Sequence, residues 1–74
     1  MKRRRVRPWV QAGRGWQCSR PRGIELEVVP FDGRYLWRAE DWSSGSPVKI
    51  GRGIAETVYR AARAARAAGE ARNA

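Results

Sequence analysis

The chain has 74 residues, with sixteen lysines and arginines against seven aspartates and glutamates, a net charge of +9, no histidine and one cysteine. That length holds one domain, near the lower limit for a self-sufficient core. The missing histidine and second cysteine exclude an internal disulfide, zinc sites and histidine acid–base chemistry, and no apolar run of about 18 residues spans a membrane.

The charge is unevenly placed. Residues 1–23 hold eight basic side chains and no acid, while residues 24–74 hold eight basic side chains against all seven acids. The basicity therefore belongs to the N-terminal part, and the remainder is nearly neutral. Arginine outnumbers lysine 14 to 2, a bias that fits GC-rich codons and a bacterial or phage gene. The opening Met-Lys-Arg-Arg-Arg has no apolar region behind it, so no secretory leader is expected, and a reducing, cytoplasmic location follows.

Taken in order, residues 1–5 have nothing to bury and are expected to form a disordered Arg-rich arm, with residues 6–74 as a single small domain. Val6-Arg7-Pro8-Trp9-Val10-Gln11 reads as a short strand that Pro8 confines to a sheet edge. Residues 12–23, rich in Gly, Pro, Ser and Arg, read as loop. Ile24-Glu25-Leu26-Glu27-Val28-Val29 and Tyr35-Leu36-Trp37-Arg38-Ala39-Glu40 alternate in complementary senses about Asp32-Gly33, a strong two-residue turn. That turn pairs Val28 with Trp37, Leu26 with Ala39 and Glu27 with Arg38, and leaves Glu25 opposite Glu40. Residues 41–47 read as a turn, and Val48-Lys49-Ile50, extending to residue 52 at most, as a third strand. Gly51-Arg52-Gly53 then reads as a tight bend with glycine at positive φ.

Ile54, Val58, Ala61, Ala65 and Ala68 recur at helical spacing and predict a helix over residues 54–68, with Gly69 beyond its end and a weak N-cap. Glu56 and Arg60 stand at a favourable i,i+4 spacing on it. The fold class expected is α+β: a three- to four-stranded antiparallel sheet centred on the Asp-Gly hairpin, with one C-terminal helix across it. The sheet face away from the helix would carry Glu25, Glu27 and Glu40 among Arg38 and Lys49.

A sheet followed by a glycine bend and an alanine-rich helix has a general likeness to double-stranded-RNA-binding domains, and also to the three-stranded DNA-binding modules of some phage integrases. The first normally opens its last helix with a lysine cluster, where this chain has Ile54-Ala55-Glu56-Thr57. The second reads DNA with the open sheet face, which here would carry three glutamates. The chain is assigned to neither.

The chemistry points to binding. Cys18 has no accompanying base, and Glu40-Asp41 has no second convergent acid pair, so no enzyme activity, metal, cofactor or small-molecule substrate is expected. Lys2, Arg3, Arg4, Arg5 and Arg7 are suited to neutralising phosphates. Trp9 and Trp16 follow Arg7 and Arg14 by two residues and are candidates for stacking on bases or anchoring an interface. Arg20, Arg22 and Trp42 complete the candidate set, while Arg60, Arg63 and Arg66 read as a solvated helix face. The function expected is a small non-enzymatic protein that engages nucleic acid, or a nucleic-acid-processing complex, through its arm. The alternative is an inhibitor or adaptor, such as a phage anti-defence protein of the anti-CRISPR kind, that docks on an acidic protein groove. Either would be a monomer or a homodimer.

Overall fold

The computed structural model describes residues 9–73. The expected arm over residues 1–5, the arm cations Lys2 to Arg7 and the first part of the expected edge strand lie outside those residues. The fold is α+β: one antiparallel sheet of five strands in sequential order, β1 (Val10–Ala12), β2 (Gly15–Arg20), β3 (Ile24–Phe31), β4 (Arg34–Asp41) and β5 (Val48–Ala55), followed by helix α1 (Val58–Asn73). The helix packs across β3, β4 and β5.

The central hairpin has the register that its alternation predicts. Val28 pairs with Trp37, Leu26 with Ala39, Glu27 with Arg38 and Glu25 with Glu40. Asp32 and Gly33 both take positive φ, 52° and 77°, the requirement of a type I′ turn whose twist matches that of the strands. Ile24, Leu26 and Val28 are buried under the helix with Ala39 and Cys18. Each of the three large aliphatic side chains contributes about 1.5–3 kcal/mol by leaving water.

Several expectations are corrected, beginning with the size of the sheet, which has five strands where three to four were expected. Residues 15–20 are a strand, not loop. Gly13 alone of its turn takes positive φ (61°), and the chain then runs back with Trp16 and Cys18 facing the helix and Gln17 and Ser19 facing away. Residues 51–53 are not a bend: β5 continues through them to Ala55. Gly51 and Gly53 lie extended beneath the Trp37 indole, and a Cβ on Gly53 would stand 2.8 Å from Trp37 Nε1. The glycines are needed there for close approach, not for φ. A register shift between Ala39 and Glu40 leaves Ile50 unpaired on β5, and that side chain packs against the core.

The helix in turn begins four residues later than its apolar spacing predicts. Ile54 and Ala55 belong to β5, and Thr57 Oγ1 accepts the Arg60 N–H at 3.1 Å as a true N-cap. Glu56, lying before the helix, pairs with Arg34 at 3.6 Å and not with Arg60. Gly69 sits inside the helix, buried against Ile24 and Leu26, where a Cβ would stand 3.1 Å from Ile24 Cγ2. Small residues at 61, 65 and 69 thus let the helix lie close on the β3 side chains.

Candidate functional site

Trp9 and Trp16 meet on the helix side of the sheet. Trp16 stands on β2 opposite Val28, half-buried, with its ring centroid 6.4 Å from that of Tyr35 at an angle of 53°. Trp9, just before β1, packs against the core cluster. With Val28, Val58, Tyr59 and Ala62 they line an open groove of about 310 Å³ between the β1–β2 hairpin and the first turns of α1. The groove wall is almost entirely carbon, and Tyr59, 67% exposed, forms its rim.

Cations border the groove. Arg63 lies one helical turn after Tyr59 and sets its guanidinium 5.8 Å from the Tyr59 ring centroid, a cation–π contact. Arg66 shares that flank of the helix with Arg63 and Glu70. Arg14 is exposed at the tip of the β1–β2 turn, two residues from Trp16. Residues 2–7, with five of the sixteen basic side chains, join the described chain at Trp9. Ion pairs within 4 Å among the described residues are Arg20–Glu70, Arg34–Glu56, Arg38–Glu27 and Arg72–Asp41; Arg14, Arg63 and Arg66 are in none of them.

The other members of the expected set are elsewhere. Arg20 is half-buried on β2 and reaches Glu70 near the C-terminal end of the helix. Arg22 lies in the short 3₁₀ turn over Pro21–Gly23. Trp42 is 44% exposed beyond β4, and its indole N–H donates to Glu40 Oε1 at 3.2 Å. It borders a depression on the opposite sheet face with Gln17, Glu25, Glu27, Arg38 and Glu40. A phosphate there would meet three carboxylates, so Trp42 does not share a site with Trp9 and Trp16. Tyr59 is the residue that sequence reasoning misses. Its i,i+4 spacing to Arg63 is the available signal, hidden because a helix started at Ile54 does not show which flank Tyr59 occupies.

Cys18 is a core side chain, 1% exposed on β2. Asp41, at the end of β4, accepts the Ser43 N–H at 2.8 Å and Arg72 Nε at 3.0 Å. Hydrogen bonds from the Ser43 side chain and backbone, and then Arg72, hold its carboxyl down at about 2. That arrangement ties the helix to the sheet and is structural. Among the described residues no helix is long and apolar enough to cross a membrane. No protein-family model, curated protein or solved structure matches the chain.

Proposed function

We propose that the chain is a small non-catalytic binding protein that engages nucleic acid, with phosphates held by the basic N-terminal segment and unpaired bases stacked in the groove of Trp9, Trp16 and Tyr59. The observation that carries this reading is the meeting of two separated tryptophans with Tyr59 in one groove, where Trp9 directly follows a sequence segment of five basic residues and no acid. Flat rings beside a cationic track are what single-stranded nucleic acid requires, because every base has a face to stack and every nucleotide a charge to neutralise. Duplex is the poorer ligand for the groove, since its bases are already stacked on one another and do not enter it. The same groove and cations support the second reading, an adaptor seating an apolar side chain of an acidic protein partner.

Binding of labelled single-stranded and duplex DNA and RNA across a salt series separates the two. For the intact chain, log affinity for single strands falls linearly with log salt. Replacing Lys2, Arg3, Arg4, Arg5 and Arg7 by glutamine flattens the slope by about 3 to 4, at roughly 0.7 for each phosphate no longer neutralised. Absence of single-strand binding beyond a weak low-salt attraction overturns the nucleic-acid reading and leaves the acidic protein partner.

A further inference from the structure

Tyr59, Arg63, Arg66 and Glu70 follow one another along a single flank of α1, at the three- and four-residue steps that bring helical side chains together. That flank runs beside β2. Its first residue shares the aromatic groove with Trp16, and its last, Glu70, lies 3.9 Å from Arg20 at the other end of the strand. Tyr59 also borders a second open hollow, of about 480 Å³, which Arg63, Arg66, Ala67 and Glu70 complete. Groove and hollow are therefore consecutive along the helix, with the Tyr59 ring between them. The first is walled by carbon, the second mostly by polar atoms.

We infer that Arg63 and Arg66 form a second phosphate site, so that a single strand with a base stacked in the groove continues past Tyr59 along this flank of α1. The inference rests on the reading of the groove as a nucleic-acid site and gives that site a direction. The charge of the hollow suits it. Glu70 is its one acid and is offset by Arg20, while Arg63 and Arg66 are exposed and in none of the ion pairs within 4 Å among the described residues. Arg34, Arg38 and Arg72, by contrast, each face a carboxylate within that distance. Arg63 is also held in place. Its guanidinium stands 5.8 Å from the Tyr59 ring centroid, and stacking occupies a face of the group while leaving its N–H edge to donate. A planar fork positioned in this way matches two oxygens of one phosphate and loses little freedom on binding. The spacing suits a chain of nucleotides as well. Along the helix axis Arg63 lies about 6 Å beyond Tyr59, and Arg66 about 4.5 Å beyond Arg63. A base on the aromatic rings thus has its own backbone within reach of the first guanidinium, and the next phosphate within reach of the second.

Binding of labelled oligothymidylate and oligouridylate across a salt series, with the N-terminal segment intact, tests the inference. Arg63→Gln with Arg66→Gln is compared with Lys49→Gln with Arg52→Gln, which removes the same charge from exposed positions on β5. All four substitutions are at exposed sites, and circular dichroism establishes that each double variant is folded. The helix pair lowers the slope of log affinity against log salt by about 1.4, at roughly 0.7 for each phosphate released. The β5 pair leaves the slope within a few tenths of that of the intact chain. A slope unchanged by the helix pair, in a chain that still binds single strands, overturns the second phosphate site and leaves every phosphate contact to the N-terminal segment. Equal flattening by both pairs overturns it too, since net charge and not a local contact would then be acting. Absence of binding to either oligonucleotide by the intact chain is a different result, and it removes the nucleic-acid reading and this inference together.

Discussion

Glycine has two different structural uses in this chain, and substitution tells them apart. At Gly53 a Cβ would stand 2.8 Å from Trp37 Nε1 and 3.0 Å from Cε2. Both are atoms of a rigid ring that is itself wedged over β5, so an added methyl has no room to be absorbed. Gly53→Ala is expected to cost about 1–3 kcal/mol, the usual range for overpacking. At Gly69 the nearest atoms are methyl tips, Ile24 Cγ2 at 3.1 Å and Leu26 Cδ2 at 3.3 Å. Those side chains can shift by tenths of an ångström, and alanine is favoured over glycine inside a helix by about 1 kcal/mol. Gly69→Ala should therefore lie within about 1 kcal/mol of neutral. Urea unfolding of both variants measures the difference; equal losses would mean that the helix is fixed as rigidly as the Trp37 ring.

Among the elements, α1 is tied to the sheet near its far end by the Arg20–Glu70 ion pair and, more closely, by Asp41 at the end of β4 to Arg72 in its last turn. The carboxyl titrates at about 2 in the folded chain against an ordinary value of 3.8. A depressed folded value means that the ionised form favours folding. That contribution is whole above about pH 4 and is lost as the pH falls toward 2. Thermal melts at pH 5, 4, 3 and 2 should show the loss in this window. Asp41→Asn should start from a lower melting temperature and drop less across it; an equal drop in both proteins would put the acid sensitivity elsewhere. The sheet elements also show what the sequence carries openly. The β3–β4 hairpin is legible down to its register, because Asp32-Gly33 and two complementary alternations each specify it. β2 is not, because only Trp16-Gln17-Cys18-Ser19 alternate and glycine, proline and arginine crowd both sides. β5 reads short because Gly51 and Gly53 look like breakers, when their role depends on an indole that only the tertiary fold brings above them. That one error moves the helix start onto Ile54, takes Glu56 into the helix and hides Tyr59. The meeting of Trp9 with Trp16 is beyond sequence reasoning for the same reason: it depends on β2 being a strand.

For the whole molecule, the sheet separates two surfaces of different character. The helix side gathers the aromatic groove with Arg63 and Arg66 on the helix flank beside it. The open side carries Glu25, Glu27 and Glu40 with Trp42 at its margin. The placement of the nucleic-acid site on the helix side is tested most directly by the indole N–H resonances of the four tryptophans, followed by NMR while a short single-stranded oligonucleotide is added to the intact chain. Trp9 and Trp16 should shift with the titration, while Trp37, packed over Gly51 and Gly53, and Trp42, hydrogen-bonded to Glu40, stay in place. Movement of Trp42 with Trp9 and Trp16 unchanged would contradict the account and put the ligand on the open face.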